Sequence, residues 1–324
     1  MPLASIVVPA FNVSATVAET LDALLAQTFT NFEIIVVDDG STDMTSDILD
    51  AYAFDPRIRI IRQRNRGLAG ARNTGIHAAK GFAIGFCDAD DIWEPSKLER
   101  HIEHLSNKPD VGISFSGSAL IDDNGADMGL AQRPRLRRIT AAHILKRNPI
   151  GNGSAAVVRR EVFHDIAYRP SSERVRNWYF DETFRQSEDI ECWLRIALTT
   201  DWTIEGVEGL LTRYRINSGG LSAATDDQLA SWERMLGKLT ALRPAFFARH
   251  SRAARAYQLR YLARRAISDH DADRAMEMVK ASFGQSTRPL IEEPSKTLTT
   301  LGAALLLRFG GQEALRVLMR ERGA

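Results

Sequence analysis

Three carboxylates, Asp88, Asp90 and Asp91, follow directly on a short apolar run, Phe82-Ala83-Ile84-Gly85-Phe86, with only Cys87 between. The run is long enough for one buried strand. Anions crowded at its end repel one another, and a hard divalent cation with oxygen ligands would relieve that repulsion. An acidic loop that simply faces water fits this stretch equally well, because short acidic matches are common. A second cluster, Asp38-Asp39-Gly40-Ser41-Thr42-Asp43, follows the apolar run Phe32-Glu33-Ile34-Ile35-Val36-Val37. It holds turn formers and a helix cap. A third acidic pair, Glu188-Asp189, follows Ser187. Ser187 suits an N-cap there, and acids suit the first turn of a helix beside its positive dipole end.

The elements that must position these groups can be read from periodicity. Ser5-Ile6-Val7-Val8 reads as a buried strand stopped by Pro9, with Ala10-Phe11-Asn12 as the loop after it. Ser14 is the expected cap of a helix whose Val17, Leu21, Leu24 and Leu25 share one face. Ile58-Arg59-Ile60-Ile61 is a third strand, and Asn65-Arg66-Gly67-Leu68-Ala69 opens a helix from Gly70 to Ala79. Strand and helix therefore alternate through four strands with short connections, the pattern of a mostly parallel, doubly wound sheet. Ligands of such sheets sit beyond the carboxyl ends of the strands. All three polar stretches, Pro9 to Asn12, Asp38 to Asp43 and Asp88 to Asp91, fall at those ends. No Gly-x-Gly-x-x-Gly follows the first strand and no Gly-Lys-Ser/Thr loop occurs, which argues against a dehydrogenase and a P-loop NTPase.

Composition narrows the class. The 324 residues allow one large α/β domain with a smaller appendage, expected at 1–221 and 222–324. A net charge of +1 gives no whole-protein case for nucleic acid as a partner. The two cysteines, Cys87 and Cys192, make neither a metal spacing nor a disulfide framework. The start reads as a strand rather than a signal peptide, and no apolar run is long enough to span a membrane. A cytoplasmic location is expected, with the inner face of the plasma membrane as an alternative.

Taken together, Ser5 to Asn12, Glu33 to Asp43, Asn65-Arg66-Gly67-Leu68-Ala69-Gly70-Ala71-Arg72-Asn73 and Asp88-Ala89-Asp90-Asp91 resemble, in order, the motifs of the family 2 glycosyltransferases. Four ordered motifs are far more specific than one. The resemblance extends to about residue 215. It implies a GT-A fold, Rossmann-like, here with an all-α C-terminal extension. It implies a nucleotide-sugar donor, commonly a UDP-sugar, held with Mg²⁺ or Mn²⁺. Carried over by motif, Pro9, Ala10, Phe11 and Asn12 line the nucleotide pocket, with Asn65, Gly67 and Ala89 beside it. Asp39 takes the base or ribose, and Arg72 and Asn73 stay near the nucleotide. Asp88 and Asp90 form the Asp-x-Asp motif, with Asp90 the metal ligand and Asp88 nearer the ribose and also placed at the metal. Glu188-Asp189, followed by Trp193 and Leu194, resembles the catalytic-base motif, with Asp189 as the base. The acceptor implied is a glycan or a lipid-linked saccharide, in cell-surface or exopolysaccharide assembly. Absence of a Gln-x-x-Arg-Trp motif favours one sugar per encounter. A catalytically silent nucleotide-sugar-binding subunit and a sugar nucleotidyltransferase are the rival readings.

Other stretches carry weaker expectations. A solvated helix residue is the rival reading of Arg72. Residues 126 to 139 are Arg-rich and irregular, a solvated loop or a basic lip over an anionic ligand. Gly151-Asn152-Gly153-Ser154 is a glycine-rich turn before a strand, and His101 and His104 are expected to be exposed. Trp193 is expected in the core. Arg213 to Ser218 resembles the family's segment that closes over the donor, without the histidine that many relatives carry near Asn217. In the tail, Ala256 to Ala275 resembles one helical-hairpin repeat. Leu298, Leu301, Leu305, Leu306 and Leu307 with Arg308, Arg316 and Arg320 suggest a basic amphipathic helix, packed on its own fold or in peripheral contact with a membrane or partner.

Overall fold

The computed structural model describes residues 2–216 and 225–321. They form two compact units, one holding 2–144 and 148–216, the other 145–147 and 225–321.

The first unit runs β1 (Ala4–Ala10), α1 (Val17–Leu25), β2 (Phe32–Asp38), α2 (Thr45–Tyr52), β3 (Ile58–Arg62), α3 (Gly67–Ala78), β4 (Ala83–Phe86), β5 (Ile92–Trp93) and α4 (Lys97–Asn107). It continues with β6 (Val111–Ile121), β7 (Asp127–Gln132), α5 (Ala141–Lys146, whose last two residues count with the second unit), a 3₁₀ turn (Gly153–Ala155), β8 (Ala156–Arg159), α6 (Arg160–Ile166), α7 (Glu188–Thr199) and β9 (Thr203–Arg215). The sheet order is β3-β2-β1-β4-β8-β6-β9-β5, with β7 added to β6. The first four strands are parallel, as alternation predicts. Beyond β4 the sheet is mixed, because β8 enters antiparallel to both β4 and β6. Central strands are buried on both faces, which is why β1 is continuously apolar apart from Ser5 and Pro9.

The core beneath one face takes Val17, Leu21 and Leu24 of α1, Leu98, Ile102 and Leu105 of α4, and Ile6 and Val8 of β1. Burying one aliphatic side chain contributes about 1.5–3 kcal/mol, so this layer fixes where β1, β2 and β4 end. Two capping expectations are corrected. Position Thr16 caps α1, and the Ser14 backbone N–H instead donates to Asp43 Oδ2 at 3.1 Å. Helix α3 begins at Gly67, three residues earlier than its periodicity suggests, because Gly67 takes a φ of +76° that closes the turn.

The second unit is helical: α8 (Thr225–Thr240), α9 (Pro244–Ser268), α10 (Ala272–Gln285), α11 (Arg288–Glu292) and α12 (Pro294–Glu321), the last broken at Gly311. The α9–α10 hairpin packs Leu259, Leu262, Ala263 and Ala266 on Ala275, Met278 and Val279. Asp271 caps α10 by accepting from Arg274 N at 2.9 Å. Lys146 belongs here through its ion pair with Glu292 at 2.9 Å. The leucine-rich stretch divides between faces. Ala304 and Leu307 are buried with Leu301 against the hairpin, whereas Leu298 and Leu305 face outward. The side chains of Arg316 and Arg320 lie outside the described residues, as do Asn217 and Ser218.

Gly85 sits on β4 directly over Trp93, where an added Cβ would come within 2.5 Å of the indole. Gly85→Ala should lower stability by about 1–3 kcal/mol through overpacking. Urea unfolding checks this; an unchanged midpoint would mean that Trp93 can shift aside freely.

Candidate active site

Strand β4 delivers Cys87 and then a tight turn, in which Asp91 N–H donates to the Asp88 carbonyl at 3.0 Å. The turn separates the three carboxylates by role. Asp91 is fully buried and points inward. One oxygen accepts from Arg215 N at 2.9 Å, the other from Ser154 Oγ. Its backbone carbonyl accepts from Thr20 Oγ1 at 2.9 Å. Burial, reinforced by the charges of Asp90 and Asp88, holds its pKa well above the usual carboxylate range. Asp91 therefore ties the turn to β9 and to the 3₁₀ turn, leaving Asp88 and Asp90 half-buried at the sheet edge.

Arg72 projects from α3 into this edge and is 2% exposed, which removes the solvated-helix reading. Its two terminal nitrogens donate to Asp88 Oδ1 and Glu188 Oε1, each at 2.8 Å. The guanidinium lies over the Phe180 ring, 5.6 Å from its centroid. Gly153 makes the approach possible, since a Cβ there would sit 2.2 Å from Arg72 Nη2. A single buried cation thus joins the loop after β4 to the start of α7.

At that start Ser187 holds the N-cap position as expected, with a φ of +63° and no side-chain cap hydrogen bond. The left-handed turn instead swings Glu188 inward. Burial pushes Glu188 up to about 7, with Arg72 opposing and Asp189 adding to the rise. Asp189 is half-buried, and its Oδ2 accepts from Asn148 Nδ2 at 3.3 Å. Burial raises its pKa too, against the pull of Arg72. A carboxylate of raised basicity at the rim of a site is suited to accept a proton.

Tyr214 on β9 was not singled out by sequence reasoning. Burial and the negative charges of Asp91, Asp88, Asp90 and Asp189 all raise its phenol pKa, so it stands amid the four carboxylates. Alternation along β9 could have found it. Arg213 and Arg215 turn to the other face, where Arg215 donates to the Asp90 carbonyl at 2.8 Å and pairs with Glu19 at 2.6 Å.

The expected nucleotide residues gather at the ends of β1, β2 and β3. Pro9 and Ala10 are buried, Phe11 is exposed, and Asn12 adopts a φ of +52°. Asn12 Oδ1 accepts from Thr42 N at 2.8 Å. Asp39 lies at the end of β2, where its oxygens accept from Gln63 Nε2 at 2.6 Å, Arg66 N at 2.9 Å and Gly67 N at 2.8 Å. In this structure they are engaged with protein donors. Asn65 Oδ1 accepts from the same Gly67 N–H at 3.2 Å. Ala89 is buried, its carbonyl accepting from Thr16 Oγ1 at 2.9 Å. Asn73 lies on α3, next to Arg72. Its amide donates to Phe180 O at 2.8 Å and Glu182 Oε1 at 2.9 Å, and accepts from Tyr179 N at 3.0 Å and Phe180 N at 2.9 Å. Every hydrogen-bonding position of that amide is used, which makes Asn73 a strut for the segment leading to α7.

Beneath the turn, Lys97 is fully buried, 3.1 Å from the Ala155 carbonyl and 3.4 Å from His101 Nε2. Burial lowers its pKa to about 7. The expectation that His101 and His104 are exposed is corrected. His101 is buried and His104 largely so, both within 2.8 Å of Ser114 Oγ. Trp193 lies in the core as expected, edge-on to Phe180.

A divalent cation fits this edge only as a shared ligand. Among the described residues no three His, Cys, Asp or Glu side chains are grouped to hold a metal. Asp88 and Asp90 supply hard oxygen donors from one turn, the arrangement suited to a Mg²⁺-like ion whose remaining ligands are water and substrate phosphate.

Comparison with known proteins identifies the family. The model of the family described as glycosyl transferase family 2 matches residues 5–167. An uncharacterized glycosyltransferase EpsJ of Bacillus subtilis (strain 168) is 48% identical over 118 residues, 36% of this chain and 34% of its own length. The Escherichia coli UDP-Glc:alpha-D-GlcNAc-diphosphoundecaprenol beta-1,3-glucosyltransferase WfgD is 28% identical over 236 residues, 72% of this chain and 85% of its own. The solved mannosyltransferase PcManGT of Pyrobaculum calidifontis, in complex with GDP-Man and Mn²⁺, is 20% identical with a TM-score of 0.59, covering 97% of this chain and 85% of that one. The chain spans 34%, 34% and 18% of the length of three of its curated relatives. With a GT-A fold and half its length matched by the family model, the chain belongs to glycosyl transferase family 2.

Proposed function

We propose that this protein is an inverting glycosyltransferase that moves one sugar from a nucleotide-sugar donor, a UDP-sugar, to an acceptor hydroxyl, using Mg²⁺ or Mn²⁺. The observation that carries the reading is the Arg72 bridge, which holds the Asp88 turn and the Glu188-Asp189 helix start in one ion network. A donor diphosphate beside Asp88 and Asp90 and an acceptor hydroxyl beside Asp189 would then meet across a short distance.

In this reading Asp189 takes the proton of the acceptor hydroxyl, which attacks the anomeric carbon opposite the departing nucleotide, so configuration inverts. Asn148, donating to Asp189 Oδ2, orients the carboxylate. Asp88 and Asp90 would hold the cation, which when bound supplies Lewis-acid stabilisation to the leaving diphosphate. No protein nucleophile is needed. A lipid-linked saccharide in polysaccharide assembly is the acceptor class we favour, supported by the acceptor for which the Escherichia coli relative is named. Such an acceptor would bring the protein to the inner face of the plasma membrane. No helix among the described residues is long and apolar enough to cross one.

Asp189→Asn should lower transfer by about 10²–10⁴-fold while leaving nucleotide binding by calorimetry intact; normal turnover would refute the base assignment. In the parent protein, kcat should fall with acid along a limb displaced above the ordinary aspartate pKa of about 4, because the base must be ionised and burial raises its pKa. A pH–rate profile whose limb lies at or below that value would argue against Asp189. Asp90→Ala should weaken Mn²⁺-dependent UDP binding by about tenfold or more. Equal affinity in the variant would take Asp90 out of the cation site.

A further inference from the structure

The Arg-rich stretch beyond β7 is held on the first unit and meets no acidic partner for its charge among the described residues. From Ala131 to Arg137 exposure alternates: Arg133, Arg135 and Arg137 are exposed, while Gln132, Pro134 and Leu136 are partly covered. That period is the signature of extended chain. Two anchors hold it. At one end Gln132 pairs with Ser118 of β6, and its side-chain oxygen accepts from Asn152 Nδ2 at 3.3 Å. Further along, the Leu136 carbonyl accepts from Gly206 N at 2.6 Å. Its side chain occupies the space a Cβ on Gly206 would fill, 2.6 Å from Leu136 Cδ2. Asn152 neighbours Gly153 and Ser154, which contact Arg72 and Asp91, so the row begins at the rim of the candidate active site.

Four arginines on this stretch, the three above and Arg138, make no ion pair among the described residues. Among the described residues only Arg135 makes a side-chain hydrogen bond, to the Arg137 carbonyl at 2.8 Å. Asp127 is turned to the Gly129 backbone at 2.8 Å, and Glu205 of β9 is taken by Lys108. The charge is therefore available. Guanidinium forks match carboxylate and phosphate oxygens two at a time. In extended chain, alternate residues repeat roughly every 6–7 Å, a spacing that suits anions carried on successive units of a polymer better than a single small ion.

We propose that residues 132–138 form a binding surface for an anionic glycan chain, engaging the carboxylates or phosphodiesters on its repeats and leading its end toward Asp189. The proposal rests on the glycosyltransferase reading for its choice of a glycan. It names the acceptor class: a polymer bearing negative charge along its length.

The test uses the full chain and reads binding rather than turnover. Oligogalacturonate, inorganic polyphosphate and neutral maltodextrin are titrated by interferometry at rising NaCl. The parent is compared with a triple variant, Arg133→Gln with Arg135→Gln and Arg137→Gln. UDP binding with Mn²⁺ is measured on the same samples. Expected are salt-sensitive binding of at least one anionic probe, none of maltodextrin, a loss of at least about tenfold in the triple variant, and unaltered UDP affinity. The probe that binds distinguishes carboxylate from phosphate recognition. Equal binding of maltodextrin, unchanged affinity in the triple variant, or no binding of either anion overturns the proposal. A duplex DNA that binds as tightly as the anionic glycan overturns the assignment to a glycan. Loss of UDP binding in the parent, with anion binding intact, counts against the donor reading alone.

Discussion

A buried guanidinium is costly unless its charge is met, with a penalty of several kcal/mol when an ion leaves water unpaired. Arg72 meets that cost with two carboxylates from segments far apart in the chain, Asp88 and Glu188. Much of the site's shape follows. Gly153 has no side chain because Arg72 occupies the space, Phe180 presents its ring to the guanidinium, and Asn73 fastens Phe180 from both its backbone groups. The Nε of Arg72 is buried without a partner, so the two terminal nitrogens carry the whole attachment.

The carboxylates around that cation are graded by environment. Asp91 is enclosed and its pKa is pushed up by burial; Glu188 is enclosed but paired; Asp189 is partly open and more basic than a free aspartate. One functional group in three settings supplies a latch, an ion-pair partner and a carboxylate of raised basicity. Tyr214 completes the ring with a neutral phenol, which adds no further negative charge to a crowded edge.

Local patterns made much of the parallel half legible. Continuous apolar runs mark β1, β2 and β4, and short polar loops mark their carboxyl ends. The antiparallel entry of β8 was hidden, because a four-residue apolar strand looks the same in either direction. The hydrogen bonds of Asp39 and Asn73 were hidden for a related reason: a motif names a residue, while its bonds depend on chain far away. His101 and His104 looked exposed on a polar helix, yet Ser114 and Lys97 supply partners that let them be buried. In the tail, leucines at mixed spacing could not reveal which of them would meet α9 and α10.

The hydrogen bonds that hold the Asp88 turn in place reach across most of the first unit: Arg72 to Glu188 spans 116 positions, and Arg215 to Asp91 spans 124. Contacts so distant along the chain bring no reward until the intervening loop has closed. During synthesis the acidic turn would therefore wait for β9, and a nascent chain ending short of residue 215 would carry every acidic group of the site without the frame that sorts them. Competence for chemistry should thus arrive in one late step, with the burial of Asp91 as its structural marker.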